Sequence, residues 1–413
     1  MKQNFIDEIT ARGFFHQCTD LNKLNDLIKS KSIKAYIGFD CTASSLHVGS
    51  LLQIMCLRLL QKNGHQPIVL LGGGTTLIGD PSGKDTTRKI LDEKSIENNI
   101  KKIKKIFEKL LDFKNKKTMP IFVNNAEWLK KLNYIEFLRD VGKHFTINKM
   151  LSFDSVKLRL EREQSLSYME FNYMILQAYD FYKLNEKNDC ILQVGGSDQW
   201  GNIINGVELI RKLSQKESFG LTTPLITLSS GAKMGKTESG AIWLDEELLS
   251  PYEYWQFWRN TNDADVKKFL KYFTEIEIQD LENIIKSEKN INNLKIFLAN
   301  EATKILHGEK NAKEAEKTAR ETFEEGGVGK SLPEIILKKN KLNNGVQILD
   351  LLANEKIFKS RSEARRAINE KGIKINDKII HDEKKIISID DFINNNYLKI
   401  SHGKKRHFLV KIN

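Results

Sequence analysis

Cysteine is scarce in this chain of 413 residues, and its four copies, Cys18, Cys41, Cys56 and Cys190, stand far apart. They form no C-x-x-C pair, no histidine cluster has zinc-ligand spacing, and no H-E-x-x-H occurs. The spacing argues against a disulfide framework or a zinc motif and for unpaired thiols in a reducing compartment. Long apolar runs are lacking too. No stretch approaches the roughly 18 apolar residues of a membrane span. Met1 to Asp20 carries charges throughout, with no apolar signal-peptide core. The expectation is a soluble, cytoplasmic chain without membrane contact. There is no internal repeat, and the nearest approach to low complexity is Asn394-Asn395-Asn396. A phosphate-binding G-x-x-x-x-G-K-[ST] loop is absent as well. Gly326 to Ser331 would need glycine where Glu324 stands, and Gly79 to Lys84 would need it at Ile78, with Asp85 following the lysine.

What is present supports a large, folded, basic protein. A hydrophobic content of 40% lets the chain bury cores in two or three domains. Its formal net charge is +12 and its pI about 9.2. The distribution of charge is more telling. Residues 346–413 hold 15 Lys and Arg against 9 Asp and Glu, a net of +6 in about a sixth of the chain. A uniform compositional bias would not concentrate charge there, so a nucleic-acid surface is favoured.

Residues 1–245 alternate strand-like and helical segments. Residues 35–39, 67–71, 120–123 and 190–194 are short and apolar, as buried parallel strands are. Longer periodic stretches such as Ser95 to Leu111 separate them. The pattern predicts an α/β fold with a Rossmann-like, doubly wound parallel sheet and a site at the strand C-termini. Helical periodicity runs from about Leu249 to Phe323, and the glycine-rich stretch 325–331 breaks it. The expected organisation is an α/β domain over 1–245, a helical domain over 246–325, a linker over 326–345 and a small, basic α+β domain over 346–413. In the last, a helix from Ser360 to Glu370 turns at Lys371-Gly372 into a strand.

Two short segments carry the most information. Leu46-His47-Val48-Gly49-Ser50 follows the first strand and opens a helix expected to run to about Asn63. Lys233-Met234-Gly235-Lys236-Thr237 sets two lysines three apart in a loop of Ser, Gly and Thr. A helix N-terminus offers unpaired N–H groups to an anion, and two mobile ammonium groups suit charge developing on a transferring phosphate. A lone histidine at a helix start ordinarily holds no ligand, and surface lysines are ordinarily solvated. Thr42 on the same loop as His47, and Gly231 and Gly235 beside the lysines, argue for the functional reading. Further along, Tyr173, Gln177 and Asp180 are spaced to share one helix face. A face of that composition is poor core material, because each buried polar group needs a partner.

The two segments resemble the signatures of class I aminoacyl-tRNA synthetases. Their flanks resemble the bacterial-type tyrosyl branch: Gly38-Phe39-Asp40-Cys41-Thr42-Ala43-Ser44-Ser45-Leu46-His47, Gly79 to Lys84, Tyr173 to Phe181, and Gly195-Gly196-Ser197-Asp198-Gln199-Trp200-Gly201-Asn202. The resemblance spans nearly the whole chain, in order. It implies tyrosine activation by ATP with magnesium, then transfer to tRNA(Tyr), with no protein-bound metal or organic cofactor. It assigns Thr42, His47, Lys233 and Lys236 to the phosphates in the transition state. Tyr36 and Asp180 would read the substrate phenol, Tyr173, Asp80 and Gln177 the α-ammonium, and Gln199 the carboxylate region. Asp40, His47, Gly49, Ser50, Gly195, Gly196, Asp198, Lys233, Lys236 and Thr237 would hold ATP. Ser50 departs from the family's usual histidine at the end of the first signature, and Gly235 from its central serine. Phenylalanine would leave Tyr36 and Asp180 unpaired, and the tyrosyl branch is itself the standing example of rejection by that means.

The C-terminal stretch resembles a small RNA-binding domain of a ribosomal small-subunit protein. Arg361, Arg365 and Arg366 would face phosphates, with Lys404-Lys405-Arg406 adding to the surface. The resemblance also implies a homodimer. Two other readings compete. A tryptophanyl synthetase shares both signatures, but an indole brings no hydroxyl to Tyr36 and Asp180. An RNA-binding protein on an inactive synthetase body would not need Thr42, His47, Lys233 and Lys236.

Overall fold

The computed structural model describes residues 4–82, 91–229, 231, 234–237, 240–323, 332–342, 345–355, 357–393, 396–403 and 406–412. The chain forms two compact units, Met1–Leu248 with Thr261–Leu294, and Leu249–Asn260 with Lys295–Asn413. Among the described residues no helix is long and apolar enough to cross a membrane.

The first unit is built on a six-stranded sheet. Its strands are β1 (Gln17–Cys18), β2 (Lys34–Phe39), β3 (Gln66–Leu71), β4 (Ile121–Asn124), β5 (Leu192–Gly196) and β6 (Phe219–Thr223), in the order β1-β6-β5-β2-β3-β4. All neighbours are parallel except β1, which runs antiparallel to β6. Ile68, Val69, Leu71, Leu192 and Leu221 are fully buried. Helices cover a parallel sheet on both faces, which is why its strands read as unbroken apolar runs. The expected strands fall within two residues of those observed.

The strand order reverses between β2 and β5. These two pair only at Ala35 with Leu192 and Tyr36 with Gln193. Past that point they part, and the crevice of a doubly wound sheet opens at their carboxyl ends. Three helices border it. Val48–Lys62 buries Val48, Leu51, Leu52, Met55 and Leu59. Tyr168–Asn188 starts at a reciprocal cap, with Ser167 Oγ accepting from Glu170 N and Glu170 accepting from Ser167 N. Trp200–Ser214 packs beside it.

The stretch expected as one helical domain divides between the units. Helices Asp263–Phe273 and Ile278–Ser287 belong to the first. There the buried Arg12 guanidinium donates to the carbonyls of Lys271, Thr274 and Ile276 at 3.1, 2.9 and 2.7 Å. It satisfies carbonyls that the end of helix Asp263–Phe273 leaves without an internal partner. Helix Pro251–Arg259 belongs to the second unit, where Trp255 Nε1 donates to Asn300 Oδ1 at 2.7 Å.

A five-stranded sheet closes the second unit. Its order is Lys378–Ile379, Ile373–Ile375, Tyr397–His402, Arg406–Ile412 and Glu334–Leu337, the last pair parallel. Glu334–Leu337 lies within the stretch expected as a linker. It is a strand because Leu337 is buried and Ile335 packs against the same core. Helix Arg361–Asn369, capped by Ser360, buries Ala364, Ala367 and Ile368 in that core and leaves Arg361, Arg365 and Arg366 exposed.

Candidate active site

The crevice holds a cavity of about 330 Å³. Tyr36, Asp40, Gly49, Ser50, Asp80, Tyr173, Gln177, Asp180, Gly195, Gly196, Asp198 and Gln199 all line it. These twelve expected residues come from five separate stretches of sequence and meet at one place. Thr42 is exposed on the loop between Asp40 and His47, outside the lining. Lys233 lies outside the described residues, and of Lys236 and Thr237 only the backbone is described.

The deep end is polar and buried. Asp180 is 1% exposed. Asn125 Nδ2 donates to its Oδ2 at 2.8 Å and Trp128 Nε1 to its Oδ1 at 2.7 Å. Burial pushes the Asp180 carboxyl up to about 7; the two donors pull against that, and the charge on Asp40 adds to it. Tyr36 is equally buried, and its hydroxyl has no hydrogen-bond partner among the described residues. Burial first, then the charge of Asp180, pushes its ionisation well above the usual range, so it stays a neutral hydroxyl. A buried hydroxyl without a partner beside a buried carboxylate is costly unless a ligand completes the pair.

Midway, two side-chain networks face each other. Asp40 accepts from Thr75 Oγ1 at 2.9 Å and from the Tyr173 hydroxyl at 3.2 Å. Asp80 accepts from Ser82 N and from Gln199 Nε2, both at 2.9 Å. Asn202, behind the wall, donates to Gln177 Oε1 and Gln199 Oε1 at 3.0 and 3.1 Å.

At the mouth, His47 caps helix Val48–Lys62, its Nδ1 accepting from Gly49 N at 3.0 Å. With Nδ1 an acceptor, the ring proton sits on Nε2. The segment after the second lysine is stitched to this helix start. Val48 N donates to Ile242 O and Leu244 N to Leu46 O, both at 2.9 Å. Gly235, at φ 93°, lies so close that a Cβ there would stand 2.6 Å from His47 Nδ1 and 2.8 Å from Gly49 N. The two signature segments therefore touch, and a side chain at 235 would force them apart.

Asn125, Trp128 and Asn202 were missed from the sequence. Asn125 follows the end of β4, and Trp128 lies on the next turn of chain. Nothing in either segment's pattern names Asp180, more than fifty residues on, as its partner. In the second unit Arg361 pairs with Asp350 at 2.7 Å and Arg365 with Glu383 at 3.0 Å. Arg406, expected as surface charge, donates instead to Ile357 O at 3.0 Å and stacks its guanidinium over Phe358 and Phe408. Lys404 and Lys405 lie outside the described residues.

A parallel sheet with a cavity at the strand-order reversal, and with the two signature segments in contact beside it, has the design of a class I tRNA synthetase. Residues 29–324 match the family model for tRNA synthetases class I (W and Y). Residues 323–410 match the tyrosine–tRNA ligase SYY-like C-terminal domain. The tyrosine–tRNA ligase of Pelagibacter ubique (strain HTCC1062) is 63% identical over 408 residues, 99% of each chain. That of Rickettsia massiliae (strain Mtu5) is 53% identical over 409 residues, 99% of this chain and 100% of the relative. Among solved structures, a C-terminally truncated mitochondrial tyrosyl-tRNA synthetase from Aspergillus nidulans superposes with a TM-score of 0.70 at 30% identity, over 78% of this chain and 95% of its own. The chain belongs to the tyrosine–tRNA ligase family.

Proposed function

We propose that this chain activates L-tyrosine with ATP and transfers it to tRNA(Tyr). The observation that carries the reading is the deep end of the cavity, where the Asp180 acceptor and the Tyr36 hydroxyl, without a partner among the described residues, suit a phenol. An indole N–H could donate to Asp180 but offers no lone pair to the Tyr36 hydroxyl, which disfavours tryptophan.

In this reading Asp80, Tyr173 and Gln177 receive the α-ammonium, and Gln199 borders the carboxylate. Asp40 and Asp198 face the nucleotide, while Gly49, Gly195 and Gly196 let it approach the backbone. A carboxylate oxygen of tyrosine attacks the α-phosphorus of ATP, the new O–P bond forms, and the bond to pyrophosphate breaks. The nucleophile belongs to the substrate, so the protein contributes position and charge. His47 Nε2–H, Ser50, Thr42, Lys233, Lys236 and Thr237 meet the negative charge passing to pyrophosphate, and magnesium arrives with ATP as part of that substrate. A terminal ribose hydroxyl of tRNA then attacks the carbonyl of tyrosyl-adenylate and releases AMP.

Residues 346–413 form the RNA-binding part of this scheme, with Arg361, Arg365 and Arg366 toward phosphates. The enzyme works in the cytoplasm as a homodimer. Support for the dimer is the clustering of exposed large hydrophobics: 9 of 14 among the described residues fall between Met119 and Tyr168. Apolar exposure so concentrated marks an association surface. Charging of tRNA(Tyr) with labelled tyrosine tests the function. Tyrosine-specific charging is expected, and equal charging with tryptophan would overturn the assignment.

A further inference from the structure

We infer that Asn202 is a positioning residue for the α-ammonium of the amino-acid substrate, acting through the amides of Gln177 and Gln199; this rests on amino-acid activation as the reaction of the site. Asn202 lies in the first turn of helix Trp200–Ser214, is 4% exposed and does not line the cavity. Its Nδ2 carries two hydrogens and makes two bonds, to Gln177 Oε1 at 3.0 Å and to Gln199 Oε1 at 3.1 Å.

The direction of this chain of bonds is set from one end. A carboxylate only accepts, and Asp80 Oδ2 takes its bond from Gln199 Nε2 at 2.9 Å. Gln199 must therefore turn its NH2 to Asp80 and its oxygen to Asn202. Asn202 must then present its own NH2, and the same NH2 meets the oxygen of Gln177. Reversing Asn202 would press oxygen against oxygen twice inside a buried site, where an unmade bond is expensive. The Gln177 oxygen is thereby held in place, with a second lone pair to offer. It shares the cavity wall with the Asp80 carboxylate and with Tyr173, whose hydroxyl donates away to Asp40. Three oxygens offering lone pairs into one space fit an ammonium group and fit an anion poorly.

Three variants test this: Asn202→Asp, Asn202→Ser and Asn202→Ala. Aspartate matches the shape of asparagine but cannot donate, so it sets a carboxylate against both glutamine oxygens. ATP–pyrophosphate exchange should show the KM for tyrosine rising roughly 10- to 100-fold in Asn202→Asp. Asn202→Ser keeps one O–H donor and should fall between Asn202→Asp and the unaltered chain, as a partial rescue of Asn202→Ala. The KM for ATP should stay within about twofold, because no link of the chain reaches the phosphates. Phenylalanine carries the same ammonium, so its KM should rise by the same factor and leave tyrosine-over-phenylalanine selection unchanged. The inhibition constant of 4-ethylphenol, which lacks both the ammonium and the carboxylate that Gln199 borders, should not move.

A tyrosine KM in Asn202→Asp within about threefold of the unaltered chain would overturn the inference. So would losses shared equally by tyrosine and ATP, or an inhibition constant that rises with the tyrosine KM. If Asn202→Asp does not fold, the order Asn, Ser, Ala in tyrosine KM at constant ATP KM decides, and a flat order overturns it. An unaltered chain that fails to exchange with tyrosine would overturn the reading of the site instead, which separates the two failures.

Discussion

The Asp180 carboxyl gives the site a dependence on pH that can be worked out in advance. Burial raises it to about 7 even though Asn125 and Trp128 each donate to it. The ionised form accepts a phenol hydroxyl. The protonated acid must place its proton on an oxygen where Asn125 or Trp128 already donates, or toward the phenol itself. Phenol binding therefore favours ionisation and lowers the pKa in the complex. The affinity it adds is present above the midpoint of the free site and is lost as pH falls through it. With a midpoint of about 7, roughly a tenth of the sites are ionised at pH 6 and nine tenths at pH 8. Selection of tyrosine over phenylalanine should then rise roughly tenfold between those pH values and level off above them. The assay is kcat/KM in ATP–pyrophosphate exchange for both amino acids at each pH. Their ratio cancels every titration the two substrates share, including those of the phosphate-binding groups. Asp180→Asn should give a ratio independent of pH. A ratio that stays flat from pH 6 to 8 in the unaltered chain would refute the reasoning.

Asn125→Ala should raise the midpoint of that selectivity profile still further, since a donor favouring the carboxylate is lost; it should also lower stability by about 1–3 kcal/mol in denaturant unfolding, because Gly74 N and Asp180 lose a partner in a fully buried place. An unmoved midpoint would show that Asn125 does not tune Asp180. Lys236→Ala should slow adenylate formation by roughly 10²–10³-fold with tyrosine affinity unchanged; single-turnover rates beside equilibrium binding separate the two, and a collapse of tyrosine binding would mean the residue is misassigned. Joint replacement Arg365→Glu and Arg366→Glu should spare tyrosine-dependent exchange, weaken tRNA(Tyr) binding and flatten its salt dependence by roughly one unit of slope per lost phosphate contact. Identical slopes would place the RNA surface elsewhere.

The parts legible in the sequence are those with a local cause. Buried parallel strands such as Gln66–Leu71 are nearly unbroken apolar runs, and His47 sits where the chain passes from strand to helix. Tyr173, Gln177 and Asp180 reach one cavity because helical spacing alone puts them on one face. The parts that escaped are settled by partners distant in the chain. Trp128 reads as an ordinary core aromatic until Asp180 is placed against its indole N–H. Glu334–Leu337 reads as linker because the strand it pairs with, Arg406–Ile412, comes some seventy residues later. Periodicity made the stretch from Leu249 to Phe323 helical as a whole, but periodicity does not say which core a helix joins, and for Asp263–Phe273 Arg12 near the N-terminus decides that. Arg406 shows the limit of counting charge, since its guanidinium is spent on Ile357 O and two aromatic rings.

In the proposed reading the buried Asp180 carboxylate and the Tyr36 hydroxyl, which has no partner among the described residues, select a phenol for activation by ATP. The most direct measurement is ATP–pyrophosphate exchange by the full chain with tyrosine, phenylalanine and tryptophan supplied separately. Exchange with tyrosine far above the other two is expected, together with loss of that preference in Asp180→Ala. Exchange with tryptophan equal to or greater than with tyrosine, or an Asp180→Ala chain that still prefers tyrosine as strongly, would contradict the claim.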